Sequence, residues 1–165
     1  MSRTRGFTLI ELLVAISIIG LLASVALASL QGVRSKGADA DRKAQLKQLA
    51  VILDLYYGDH DAYPSTGGSW MGKSPLAGNH AMWIPGLTPT YIAELPSDPA
   101  YTPTACGGWG GTYLYISNGV DYKLIAHCPQ NSSVASTQVS DEFYDPVRPT
   151  WAWQVSTPGA SAAGW

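Results

Sequence analysis

The fold of this chain is decided by residues 5–30, RGFTLIELLVAISIIGLLASVALASL. No charged residue stands between Leu12 and Leu30. With residues 7–10 and the single acid Glu11, the apolar run covers about 24 residues, which suffices for a helix that crosses a hydrocarbon core of ~30 Å. The stretch therefore predicts a membrane-spanning helix with one carboxylate near its start.

The composition of the whole chain fits an anchored protein with one globular domain. Its 165 residues are 46% hydrophobic and only 13% charged, against about 25% charged in typical soluble proteins. The net charge of −2 offers no basic excess for binding phosphates, so no nucleic acid partner is expected. Prolines and glycines fall almost wholly after residue 57, which predicts a helical first part and a loop-rich second part.

The charges at the amino terminus bear on how the apolar run is used. Arg3 and Arg5 could begin a secretory signal peptide, with residues 26–28 (Ala-Leu-Ala) as its exit. However, the run is long, and an acid at its head does not fit that class. A plain membrane anchor fits the length but gives Glu11 no purpose beyond reaching the interface. Because a bare carboxylate inside a membrane is costly, such an acid points to a function and to a partner.

A third interpretation comes from residues 5–14, RGFTLIELLV. This string closely resembles the class III signal of type IV pilins and type II secretion pseudopilins, which is a short basic leader, Gly, Phe, and Glu as the fifth residue after the cut. The likeness continues as far as Ala23. The resemblance implies cleavage by prepilin peptidase after Gly6 and N-methylation of Phe7. It also implies that the Glu11 carboxylate forms an assembly salt bridge with the Phe7 ammonium of a neighbouring subunit.

The resemblance further implies a pilin-like α+β fold, in which a long N-terminal α-helix packs against a small C-terminal antiparallel β-sheet. We expect a class III leader at residues 1–6, a transmembrane and assembly half at 7–30, an amphipathic half and its end at 31–63, and a loop-rich sheet domain at 64–165. The chain would be a structural subunit, with no catalysis, cofactor or metal. It would polymerise through its helix into a type II secretion pseudopilus or a type IV pilus.

The expected partners are identical or related pilin subunits, prepilin peptidase and an inner-membrane assembly platform. The expected location is the cytoplasmic (inner) membrane, in a single pass with the C-terminal domain outside, and then an extracytoplasmic fibre. Basic residues predict the opposite orientation, since Arg3 and Arg5 precede the span and five basic residues follow it within residues 34–47. Two alternatives are a DNA-uptake (competence) pilin and a membrane-anchored extracytoplasmic binding domain with a pilin-like leader.

Small residues recur within the apolar run at Gly20, Ser24 and Ala28. A spacing of four residues places them on one helix face, where small side chains permit another helix to approach closely. The stripe therefore predicts helix packing, while a lipid-facing anchor with incidental small residues fits it equally well.

Apolar residues recur at helical spacing through residues 46–57, which predicts that one helix continues to about Tyr57. Gly32 and Gly37 leave open a break into two helices, because each glycine costs up to ~1 kcal/mol relative to alanine. Gly58 suits the position that follows the last helical residue.

The second part of the chain contains two strand patterns, residues 113–117 and 122–128, which are rich in β-branched and aromatic residues. Asn118-Gly119 joins them and is the strongest short hairpin signal. A third strand is expected from residues 134–139 or 151–155. The alternation alone does not settle which face of the hairpin packs on the helix.

The two cysteines, Cys106 and Cys128, stand on either side of the hairpin. An oxidising exterior would favour a disulfide between them, worth about 3 kcal/mol, while two reduced buried thiols are the alternative. A zinc or catalytic role lacks further ligands, because the histidines have no metal-ligand spacing. Residues 117–121 match a string that precedes a calcium site in major pseudopilins, but the acidic cluster that should follow is missing, so no calcium site is expected.

The tail from residue 141 is rich in aromatic residues. Its prolines disfavour a helix. We expect residues 143–153 to wrap the sheet and residues 159–165 to fray, as termini often do.

Overall fold

The computed structural model describes residues 7–73, 82–99, 111–129 and 140–165. Its elements in chain order are α1 (Leu9–His60), β1 (Met71–Gly72), β2 (Thr112–Ser117), β3 (Tyr122–His127), β4 (Ala152–Ser156) and α2 (Pro158–Ala162). The chain separates into two compact units, Met1–Ser35 and Lys36–Trp165. A long amino-terminal helix followed by a small antiparallel sheet confirms the predicted α+β fold class.

Helix α1 begins with a reciprocal cap. The backbone N–H and the hydroxyl of Thr8 donate to Glu11 Oε2 at 2.9 and 2.7 Å, and the Glu11 N–H donates to Thr8 Oγ1 at 3.3 Å. Such a capping box satisfies amide donors that have no partner within the helix. Since α1 runs unbroken through Gly32 and Gly37, the prediction of one helix is confirmed and the alternative of two helices is wrong.

The carboxyl end of α1 differs from the prediction. Gly58 lies inside the last turn, and the helix ends at His60. Asp61 follows it with φ at 52°, and its N–H donates to the Tyr57 carbonyl at 2.8 Å. A short polar side chain tolerates this left-handed conformation better than most, so the helix can end without a glycine.

The sheet has four antiparallel strands in the order β1-β2-β3-β4. The predicted hairpin is confirmed, because β2 and β3 pair along their full lengths across Asn118 and Gly119. Gly119 has φ at 93°, which a glycine adopts without strain. Asn118 Oδ1 accepts the N–H groups of Val120 and Asp121 at 2.9 and 2.8 Å, which fixes the turn.

The outer strands include one that the sequence did not predict. Strand β4 confirms one of the two places expected for a third strand, while residues 134–139 lie outside the described residues. Strand β1 falls in a stretch expected to have no regular structure. A Cβ added to Gly72 would lie 2.6 Å from the Tyr113 carbonyl oxygen, so the close approach of β1 to β2 requires a glycine at residue 72. A strand of two residues is too short to show any alternation.

The core of the second unit lies between the later turns of α1 and one face of the sheet. Tyr113 and Tyr115 belong to this face, and the Tyr113 hydroxyl donates to Gln45 Oε1 of α1 at 2.5 Å. This settles which face of the hairpin meets the helix. The buried apolar residues are Leu46, Leu49 and Leu53 from α1, Tyr113, Tyr115, Tyr122, Leu124, Ala126 and Trp153 from the strands, and Trp83, Ile84, Leu87, Leu95 and Phe143 from the connections.

The tail is more ordered than the sequence predicts. Helix α2 begins at Pro158, because the first turn of a helix does not need the N–H that proline lacks. Ala160 is fully buried, and the main-chain oxygen of Trp165 accepts a hydrogen bond from Lys123 at 2.6 Å. The expectation that residues 159–165 fray is therefore wrong.

Candidate functional site on helix α1

The first half of α1 carries apolar side chains that no other part of its unit covers. The exposed large apolar residues from 7 to 33 are Phe7, Leu9, Ile10, Leu12, Leu13, Val14, Ile16, Ile18, Ile19, Leu21, Leu22, Val25, Leu27, Leu30 and Val33. By length and composition this half of the helix is able to cross a membrane. Burial of these side chains therefore requires lipid or another protein chain.

Glu11 is the acid in the first turn of α1. Its carboxylate is exposed and is held by the two donors of Thr8. Phe7 stands one turn before it and is 74% exposed, while Gly6 lies outside the described residues. A carboxylate at this end of a helix is favoured by the helix dipole, so the first turn presents an anionic group in an otherwise apolar surface.

The predicted stripe of small residues has open space beside it. A Cβ added at Gly20 would meet nothing within 4 Å. The Ser24 hydroxyl donates to the Leu21 carbonyl at 2.7 Å, so its polarity is satisfied within the helix. The side chain of Ala28 lies outside the described part of the chain. The helix-packing role of this stripe stays a prediction.

Ion pairs that the sequence did not reveal attach the connecting segments to α1. Arg42 donates through Nε and one terminal nitrogen to both oxygens of Asp98, at 2.7 and 2.6 Å, and through the other to Asp39 at 2.6 Å. Lys43 pairs with Asp141 at 2.5 Å. Arg42 and Asp98 are 56 residues apart, and no local pattern signals a contact at that separation. Pro96 and Pro99 flank Asp98 and indicate a rigid segment, which is the one sign of this contact in the sequence.

The described residues include only one of the two cysteines of the predicted disulfide. Cys128 is disulfide-bonded, and Cys106 lies outside the described residues. The pairing of these two cysteines stays a prediction. Within the described ranges, no three His, Cys, Asp or Glu side chains gather in a way that could hold a metal ion.

Packing shifts the pKa values of several tyrosines in the second unit. Burial raises the pKa of Tyr113, Tyr115 and Tyr122 well above the usual tyrosine range. A hydrogen bond to Asp59 raises the pKa of Tyr91 to about 12. Tyr113, Tyr115 and Tyr122 pack among core side chains, while Tyr91 lies beside the exposed end of α1, where its hydroxyl donates to Asp59 at 2.7 Å.

Comparison with known proteins finds one family model and several relatives that match this chain. The family model described as the prokaryotic N-terminal methylation motif matches residues 1–27. The type II secretion system core protein G of Klebsiella pneumoniae is 37% identical over 124 residues, which cover 72% of this chain and 79% of that relative. The protein of the same name from Escherichia coli (strain K12) is 33% identical over 122 residues, covering 71% and 74% of the two chains.

A more distant relative extends the same likeness. The type II secretion system core protein G of Vibrio cholerae is 31% identical over 121 residues, which cover 72% of this chain and 75% of that relative. No solved structure gives a significant match.

Proposed function

Since the chain belongs to the family of type II secretion system core protein G, we propose that it is a structural subunit of a secretion pseudopilus. It is a prepilin peptidase substrate that polymerises through its amino-terminal helix. The observation that carries this function is the methylation motif at residues 1–27, which leads directly into the exposed apolar half of α1. The proposed role is mechanical and includes no catalysis by this chain.

The proposal assigns each processing step to a residue, and the match to the methylation motif supports it. Prepilin peptidase cuts after Gly6, which makes Phe7 the first residue, and Phe7 is then N-methylated. The cut removes Arg3 and Arg5, so the net charge becomes −2 − 2 = −4. The exposed position of Phe7, one turn before Glu11, supports a new terminus at this place.

Glu11 is the residue that sets the register between subunits in this proposal. Its carboxylate meets the Phe7 ammonium of a neighbouring copy. Two unpaired charges inside an apolar fibre each cost several kcal/mol, and pairing offsets much of that cost. An axial position that leaves Glu11 unpaired is therefore disfavoured, and the correct stagger is selected.

The proposed partners are other pilin subunits, prepilin peptidase and an inner-membrane assembly platform, and the second unit lies outside the cytoplasm. The basic residues after the span point the other way by simple counting. Three of them have a purpose in the folded second unit, because Arg42, Lys43 and Lys47 each form an ion pair there. Their presence after the span is thus explained without assigning them to the cytoplasmic side.

Glu11→Ala tests the proposed function, with sheared fibres and precursor processing as separate readouts. We expect normal cleavage and a loss of fibres, because the apolar helix still inserts while the ammonium of the neighbouring copy loses its partner. Ser17→Ala is the matched control, since its hydroxyl is also exposed in the apolar half and donates only to the Leu13 carbonyl, at 2.8 Å. Recovery of fibres at the wild-type level from Glu11→Ala would contradict the pairing.

A further inference from the structure

Lys123 is a lysine within the buried strand β3 of the second unit. Neighbouring residues of β3 point to opposite faces of the sheet, and Leu124 belongs to the core beside α1. Lys123 therefore points to the outer face, together with the fully buried Ile125. The Lys123 side chain is 0% exposed. An ammonium loses its hydration in such a place and remains charged only if it is well paired.

The Lys123 ammonium bridges two segments that lie on either side of β4 in the sequence. Nζ donates to Asp145 Oδ1 at 2.8 Å and to the main-chain oxygen of Trp165 at 2.6 Å. Asp145 precedes β4, and Trp165 follows it. One cation thus ties both flanks of the last strand to the strand beside it.

Asp145 is arranged to receive this cation. Its side chain is 0% exposed, and Oδ1 also accepts the N–H groups of Val147 and Arg148 at 2.9 and 3.2 Å. These bonds fold the segment before β4 into a turn around the carboxylate. The Arg148 guanidinium stays 3.7 Å from Oδ2 and stacks over the ring of Trp70 at 4.8 Å. The short contact to Asp145 therefore comes from Lys123.

Thr157, in the segment after β4, forms two further hydrogen bonds to the hairpin. The Thr157 hydroxyl donates to Asp121 Oδ1 at 2.7 Å, and the Thr157 N–H donates to the Tyr122 carbonyl at 3.1 Å. Helix α2 has only five residues, too few to be stable alone. Its place on the sheet is held by these hydrogen bonds, by the burial of Ala160 and by the hydrogen bond between Lys123 and Trp165.

We propose that Lys123 is an internal latch on the outer face of the sheet. Its ammonium holds the two flanks of β4, residues 145–151 and 157–165, and the flanks open together when the ammonium is removed. The cation that holds the two flanks is the Lys123 ammonium itself. The latch is separate from the assembly contact proposed for Glu11 and does not depend on it.

Hydrogen exchange of the full-length chain in detergent tests the latch. Lys123→Met removes the ammonium at nearly constant side-chain length. We expect amide exchange at Thr157 and Ala160 to rise by about tenfold or more, because the bonds that hold the second flank become weaker. Exchange at Leu49 and Leu53 of α1 should change by less than about twofold, since the core on the other face is untouched.

Lys43→Met is the matched control. Lys43 also pairs with an aspartate of the tail, Asp141, but this pair is partly exposed and lies before both flanks. Its loss should leave exchange at Thr157 and Ala160 at the wild-type rate. The double variant Lys123→Met/Arg148→Gln also removes the guanidinium that lies 3.7 Å from Asp145 Oδ2, and it should open the flanks at least as far as Lys123→Met.

Two results would overturn the latch. Unchanged exchange at Thr157 and Ala160 in both Lys123 variants would show that the ammonium does not hold the flanks. An equal rise at Leu49 and Leu53 would show that Lys123 supports the whole domain instead. If Lys123→Met does not fold, Lys123→Gln gives the same comparison, because it also removes the ammonium and leaves Asp145 and Trp165 unchanged.

Discussion

Asp98→Ala probes the ion pair that holds residues 95–99 on α1. The side chains of Arg42 and Asp98 are 0% exposed, and their two hydrogen bonds measure 2.7 and 2.6 Å. Hydrogen bonds to charged groups contribute about 1.5–3 kcal/mol each. Removal of one partner from a buried pair costs about 3–5 kcal/mol, and the bond that Arg42 keeps to Asp39 places Asp98→Ala near the lower end of that range. We expect the free energy of unfolding to fall by that amount, a large share of the ~5–15 kcal/mol typical of a domain.

Denaturant unfolding of the full-length chain in detergent, followed by tryptophan fluorescence, measures this loss. Asp41→Ala is the matched control, since Asp41 is an exposed aspartate on the same helix and its removal should change stability by no more than about 0.5 kcal/mol. Asp39→Asn/Arg42→Met/Asp98→Leu should be more stable than Asp98→Ala, because it removes all three charges of the buried cluster together. A loss from Asp98→Ala no larger than that from Asp41→Ala would refute the reasoning.

Three further predictions concern the second unit. Leu53→Ala should lower the free energy of unfolding by about 2–5 kcal/mol, and Leu55→Ala, at a site 59% exposed, by less than about 1 kcal/mol, as denaturant titration would show. Burial raises the pKa of Tyr115 and Tyr122 in the folded chain. The stability they contribute should be complete below about pH 10 and decline above it, with a smaller decline in Tyr115→Phe, as unfolding measured from neutral to alkaline pH would show. Reduction of the disulfide at Cys128 should cost about 2–5 kcal/mol, measured by unfolding with and without reductant.

Local patterns accounted for the parts of the fold that depend on near neighbours. The apolar run after Glu11 predicted the helix because burial in lipid requires a continuous apolar stretch. Asn118 and Gly119 predicted the hairpin because a tight turn needs residues that accept positive φ. Both signals lie within a few residues of the structure they specify.

Local sequence patterns do not predict the contacts that attach the tail and the connecting segments, because the partners are far apart in the sequence. Lys123 is a charged residue between apolar residues of a strand, and such a pattern is typical of a solvent-exposed position. In the structure its side chain is buried on the outer face of the sheet. Its partners Asp145 and Trp165 are 22 and 42 residues away, and only the folded chain brings them together. Asp61 ends α1 in the conformation expected of glycine, because the short polar side chain of aspartate tolerates this conformation better than most.

The position of Glu11 could be predicted from local sequence, since the motif lies within one helical turn, while its role in assembly stays a prediction. Glu11 stands at the start of α1 as the motif requires. The capping role of Thr8 was missed, although the spacing Thr-x-x-Glu before an apolar run is itself a signature of a helix start.

Mass spectrometry of the chain recovered from sheared fibres tests the central claim most directly. The account predicts a mature chain that begins at Phe7 and carries a methyl group on its amino nitrogen. Gly6→Val, which places a bulky side chain before the cut, should leave the precursor at full length. A mature chain that begins at any other residue would contradict the account.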